Sequence, residues 1–107
     1  MSNEVYAEIA RALREGTPIA LATVARTRGS TPRKAGAKMV VRPDGSFFGT
    51  IGGGCGEGEG RLKALDVLRT GRPEIVRVDL TNPLDGEDKI CGGVMDVFVE
   101  RIGGPSQ

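Results

Sequence analysis

The chemistry this chain could do is concentrated around one thiol. Residues 49–60 read Gly-Thr-Ile-Gly-Gly-Gly-Cys-Gly-Glu-Gly-Glu-Gly, with Cys55 in their midst. A stretch rich in β-branched and aromatic residues enters this run and an amphipathic pattern leaves it, so Gly52, Gly53 and Gly54 occupy a strand-to-helix turn. Without Cβ atoms, such a turn lets a ligand approach the backbone closely, and the unpaired N–H groups of the following helix point at the opening. Near a helix N-terminus a thiol is biased toward thiolate, a better nucleophile and a better soft-metal ligand. Two readings of Cys55 stay open, a small buried residue or the chemical centre, and the flanking glycines favour exposure. Cys91, between Ile90 and Gly92, reads as structural or secondary, and a Cys55–Cys91 disulfide stays open. No Gly-Lys-Ser/Thr follows the glycines, so this is no Walker motif, and in so glycine-rich a chain a G-x-G-x-x-G match carries little weight.

A second cluster precedes the first. Between positions 26 and 42 there are six basic residues and no acid. Its segment 26–37 reads as a loop in which Arg28 and Arg33 alternate with Ser30 and Thr31, a mixture suited to phosphate oxygens. Single-stranded nucleic acid fits less well, because stacking aromatics are missing there and the formal net charge is only +1. Glu57 and Glu59 fall where a helix dipole welcomes negative charge, a better reading than proton transfer beside Cys55.

Absences narrow the chemistry further. The chain has no histidine, which removes the commonest general base and a favoured zinc ligand. Its two cysteines fit no metal-binding spacing. No apolar run approaches the ~20 residues of a membrane helix, and the first residues lack a signal-peptide core. The expectation is a cytoplasmic protein with reduced thiols, bound neither to nucleic acid nor to membrane. At 107 residues with four aromatics, it reads as one domain whose core is built from Val, Ile, Leu, Ala and Met.

The elements that must position these residues follow from periodicity. A first helix, capped by Ser2 or Asn3, carries Val5, Ala7, Ile9, Ala10 and Leu13 on or near one face and stops at Gly16. Residues 19–25 form a nearly continuous apolar run, a central strand buried on both faces. Residues 38–42 and 46–51 form two strands around Pro43-Asp44-Gly45. A second helix spans 61–69 with Leu62, Leu65 and Leu68 at helical spacing. Strands at 74–80 and 94–102 flank an acidic loop. The whole reads as an α+β domain with a mixed β-sheet of about five strands and two covering helices.

Several ordered segments together resemble one family. They are Arg28-Gly29-Ser30-Thr31-Pro32-Arg33, Gly36-Ala37-Lys38-Met39, Arg42-Pro43-Asp44-Gly45, Gly49-Thr50-Ile51-Gly52-Gly53-Gly54-Cys55 and Ile90-Cys91-Gly92-Gly93. The family is XdhC/CoxI, accessory factors of xanthine dehydrogenase and related molybdenum hydroxylases. The resemblance implies a chaperone more than a catalyst, one that holds molybdenum cofactor (molybdopterin) while a cysteine desulfurase supports its sulfuration, then delivers it to the apo-hydroxylase. It points to Arg28, Ser30, Thr31, Arg33, Gly52, Gly53, Gly54, Cys55, Cys91 and Gly92 as cofactor-binding, with Cys55 contacting molybdenum or holding sulfur as a persulfide. Longer members continue into a C-terminal Rossmann-type domain, so residues 1–107 read as the N-terminal domain alone, and one candidate partner is a separate Rossmann-domain subunit. A homodimer is compatible with so small a domain. Two other classes compete: a thiol-based sulfur or redox carrier using Cys55 and Cys91, and an interaction subunit that binds no ligand by itself.

Overall fold

The apolar run that begins at Ile19 is the strand on which the sheet is built. In the computed structural model, which describes residues 2–29, 34–51, 57–79 and 93–104, it forms β1 (Ile19–Arg28). The other elements are α1 (Ser2–Glu15), β2 (Lys38–Val41), β3 (Phe47–Gly49), α2 (Glu57–Thr70), β4 (Glu74–Asp79) and β5 (Val94–Ile102). They form one five-stranded sheet in the order β3-β2-β1-β5-β4. Ile19, Ala20, Leu21 and Ala22 of the central strand are all buried, as a strand covered on both faces requires.

The α+β architecture with five strands and two helices is the expected one, but the pairing is antiparallel throughout rather than mixed. Strands β1, β3 and β4 run one way and β2 and β5 the other. The crossover through α2 does join two co-directional strands, β3 and β4, yet it lands them on opposite edges. Parallel strands therefore never become neighbours.

The two faces carry separate cores. Val5 and Ala12 of α1, with Ile9, pack on Ile19, Leu21 and Val40. Ala64 and Val67 of α2 pack on Ala20, Ala22, Val24, Met39, Val41, Met95, Val97 and Val99 from the other side. In α1, Leu13 turns outward at 54% exposure. Helix α1 ends in a Schellman arrangement, with Gly16 N–H donating to Leu13 O (3.3 Å) and Thr17 N–H to Ala12 O (3.0 Å). The capping expected of Ser2 or Asn3 concerns side chains outside those described. The Pro-Asp-Gly turn forms as read. Gly45 N–H donates to Arg42 O at 2.9 Å, and the Asp44 carboxylate accepts from Ser46 N–H (2.9 Å) and Oγ (2.6 Å). Arg42, just before it, ties the hairpin to α1 by hydrogen bonding the buried Glu8 and, at 3.2 Å, Glu15.

Two element boundaries differ from the sequence reading by three residues or more, and one helix face differs in part. Helix α2 starts at Glu57, one turn earlier, so Gly58 and Gly60 lie inside it. Its inner face is Gly60, Ala64 and Val67, while Leu62 points outward at 68% exposure. Small residues let the helix sit close: a Cβ on Gly60 would lie 2.8 Å from Ile51 Cδ1. Finally, β1 continues through Arg26, Thr27 and Arg28, whose composition reads as loop, because all three pair with β5. Among the described residues no helix is long and apolar enough to cross a membrane.

Candidate functional site

The described residues fix the roots of the glycine run. Gly49 closes β3 with φ +82, and a Cβ there would stand 2.5 Å from Lys38 O and 2.7 Å from Val5 Cγ2, so only glycine fits. Beyond it, Thr50 N–H donates to Lys38 O at 3.1 Å, and Ile51 is fully buried against Gly60 and Met39. The Thr50 hydroxyl then donates to the Glu57 carboxylate. This latch joins the last residues before the turn to the first residue of α2, and it holds the carboxylate at the positive end of the helix dipole. Gly52, Gly53, Gly54 and Cys55, between the two ends, lie outside the described residues.

The other predicted segments are rooted at the same end of the sheet. With β1, β3 and β4 co-directional, their C-terminal ends and the N-termini of β2, β5 and α2 all face one way. Arg28 pairs with Val94, and Asp79 pairs with Val94 from the other side. Arg28, at the start of the basic segment, thus stands beside Val94, the first residue of β5. The returning limb of that loop is held beside Val24, where Gly36 N–H donates to Val24 O (2.7 Å) and Val24 N–H to Ala37 O (2.9 Å). Ser30, Thr31, Arg33, Cys91 and Gly92 themselves lie outside the described residues. Among the ten predicted binding residues only Arg28 is described.

Arg28 is exposed, and its orientation is set by an irregularity. The register of β1 against β5 shifts between Val24 and Arg26. Val24 pairs with Val97 on the α2 face, whereas Arg26 pairs with Asp96 on the opposite face, and Arg28 follows it there with Val94. A bulge re-aims side chains in this way. The half-buried Asp96 carboxylate then accepts Arg77 Nε at 3.2 Å and lies 3.7 Å from Arg26 Nε, which orders two guanidinium groups on the sheet face that α1 leaves open.

On the α2 face, beside the latch, a cavity of about 270 Å³ is bounded by Met39, Phe47, Glu57, Gly58 and Arg61. The i,i+4 spacing of Glu57 and Arg61 suits an ion pair, yet none forms among the described residues: Glu57 is turned to Thr50. Phe47, Gly60 and Arg61 did not stand out in the sequence. The i,i+4 spacing alone could have drawn attention to Arg61. No group of three or more His, Cys, Asp or Glu residues able to hold a metal ion occurs among the described residues.

The sequence and the fold have relatives among known proteins. A family model described as the XdhC and CoxI family matches residues 12–79. The uncharacterized protein YqeB of Escherichia coli is 38% identical over 92% of this chain and 18% of its own length. The molybdenum cofactor insertion chaperone PaoD of the same organism is 33% identical over 85% of this chain and 29% of its own. A probable xanthine dehydrogenase subunit of Bacillus subtilis is 34% identical over 77% of this chain and 26% of its own. Among solved structures, a chain described as a xanthine dehydrogenase from Bacillus halodurans superposes with a TM-score of 0.78 and 31% identity, over 89% of this chain and 29% of that one. The chain therefore spans less than a third of the length of each of these relatives.

Proposed function

The chain belongs to the XdhC and CoxI family, and from that premise we propose that it binds molybdenum cofactor as transient cargo and assists its maturation for hydroxylases of the xanthine dehydrogenase type. The observation that carries the reading is the similarity to a molybdenum cofactor insertion chaperone over 85% of this chain. The role is that of a chaperone: the protein holds and presents, and no general base is needed.

The physical chemistry of the parts supports the division of labour. The cargo is a pyranopterin with a terminal phosphate and a thiophilic metal. Its phosphate goes to the cationic and hydroxyl groups of Arg28, Ser30, Thr31 and Arg33, and its close approach to backbone is at Gly52, Gly53, Gly54 and Gly92. Cys55, which precedes α2 in the chain, is the soft donor that contacts molybdenum or carries sulfur, and Cys91 is a further cofactor contact. In the second role its thiolate attacks the outer sulfur of a cysteine desulfurase persulfide. The desulfurase leaves as thiolate, and Cys55 becomes the persulfide. Delivery to the apo-hydroxylase completes the proposal, and the further partner is a Rossmann-domain subunit.

The test is anaerobic mixing of purified protein with freshly released cofactor, desalting, and counting molybdenum and pterin retained per chain. Wild type should retain both, and Cys55→Ala should lose most of the molybdenum. Equal retention by the two proteins removes Cys55 from the site; no retention by wild type sinks the cargo reading.

A further inference from the structure

The cavity beside the latch has walls of two kinds. Phe47 and Met39 supply apolar surface, and the Glu57 carboxylate and the Arg61 guanidinium supply an acceptor next to a donor. Phe47 sits on the α2 face of the edge strand, opposite Val41, and is still 42% exposed, so the cavity opens between β3 and the first turn of α2. Gly58 faces open space, with no atom within 4 Å of where its Cβ would be.

Size and chemistry together restrict what fits. Pockets for whole drug-sized ligands run from about 300 to 1,000 Å³, so about 270 Å³ takes a fused bicyclic ring rather than a complete nucleotide. A carboxylate accepts from adjacent ring N–H and exocyclic amine groups. Accepting from Thr50 uses one of its roughly four lone-pair sites and leaves the rest available. A guanidinium donates to a ring carbonyl. One planar edge presents both patterns side by side, the 2-amino-4-oxo pyrimidine edge shared by pterin and guanine. We propose that this cavity is a recognition subsite for that edge, with Glu57 as the specificity-determining acceptor, Arg61 as the donor and Phe47 against the ring face. The assignment rests on the cargo reading above, which brings a pterin to this end of the sheet.

Free pterin, followed by its own fluorescence, and guanosine monophosphate test the subsite without any metal. Wild type should bind at least one of them saturably and adenosine monophosphate not at all. Glu57→Gln should weaken binding about tenfold, as expected when a hydrogen-bonding site loses part of its acceptor pattern. Gly58→Leu, which adds bulk where nothing stands, should abolish binding while the helix signal in circular dichroism is kept. Arg14→Gln on α1 is the charge control and should change nothing. Pterin bound better than guanosine monophosphate identifies the ring system of the cofactor as the occupant; the reverse order identifies a guanine nucleotide, with the same edge read. Absence of saturable binding by either probe, equal binding of adenosine monophosphate, or binding that survives Gly58→Leu overturns the subsite. These outcomes are separate from the molybdenum count, so the cargo reading and the subsite fail independently in the readout.

Discussion

Two glycines of the same run should respond to alanine with opposite sign. At Gly49 the new methyl meets Lys38 O at 2.5 Å and Val5 Cγ2 at 2.7 Å, with φ at +82. An L-residue in that backbone region costs about 1–2 kcal/mol, and forcing a methyl into packed surroundings about 1–3 kcal/mol. Together Gly49→Ala should lose about 2–5 kcal/mol, a large share of the ~5–15 kcal/mol by which such domains are stable. At Gly58 the methyl meets nothing within 4 Å and the backbone is helical. There the relief of glycine's entropy should gain about 0.5 kcal/mol, the low end of the usual range because the position lies in the first turn. At about 4–8 °C per kcal/mol for a domain of this size, thermal unfolding should fall by at least ~8 °C for Gly49→Ala and rise by ~2–4 °C for Gly58→Ala. Urea titration with unchanged m-values would confirm that stability alone moved. A Gly49→Ala protein within ~1 kcal/mol of wild type would refute the reasoning, since it would mean that α1 does not seat Val5 against the end of β3.

Asp96 orders two arginines from a half-buried position, so Asp96→Ala should cost up to ~1 kcal/mol, and salt should shrink the loss because the arginines are exposed; urea unfolding at low and high salt reads both. The Asp44 carboxyl is held below its ordinary value of 3.8 by the Ser46 side chain first and the Ser46 backbone N–H second. A depressed carboxyl stabilises fully above the unfolded value and loses this as pH falls through the folded one. The melting-temperature advantage of wild type over Asp44→Asn should therefore be constant at pH 5–7, begin to shrink near the ordinary value of 3.8, and disappear only as pH falls through the depressed folded value. Lys63 is raised above 10.5 by its hydrogen bond to Glu74, so the stability it adds is present below that value and lost as pH climbs through the raised one. The gap between wild type and Glu74→Gln should close in strongly alkaline melts. Arg42→Met should lower the melting temperature, because Glu8 stays buried without its guanidinium, and adding Glu8→Leu should restore part of it.

How much of this was legible from residues alone depends on whether the deciding contact is local. The apolar run that begins at Ile19 and the Pro43-Asp44-Gly45 turn are local signals, and both elements form as read. Leu62, Leu65 and Leu68 are also a local signal, and it holds in part: Leu65 and Leu68 pack against the core, while Leu62 is exposed. Gly60, Ala64 and Val67 face the sheet because small residues permit close approach, which a count of large apolar positions cannot register. The extension of β1 to Arg28 rests on partners in β5, some seventy positions away, and a charged stretch reads as loop until its partner strand is known. Antiparallel pairing throughout is equally non-local, since it follows from where the α2 crossover lands. The Thr50–Glu57 latch has a seven-residue spacing across a turn and matches no regular period. Of the candidate site, the sequence supplied residue types and a family resemblance; the common end of the sheet at which three of its segments are rooted came from topology.

The bulge in β1 constrains how those segments can act together. Without the shift after Val24, strict alternation would send Arg26 and Arg28 to the α2 face. With it, both arginines share the opposite face with Asp96 and Val94. A ligand touching Arg28 and the start of α2 therefore cannot lie flat on either face and has to cross the end of the sheet. The ladder from Thr23 to Arg28 also extends β1 past the row of Lys38, by roughly 3.3 Å for each residue, so Arg28 stands well beyond the level at which β3 delivers Thr50. Arg28 is thus remote from the latch and from the start of α2, and Arg28→Gln should reduce cofactor retention less than Cys55→Ala does. The opposite ranking would place the cargo on the open face, with the glycine run at its margin.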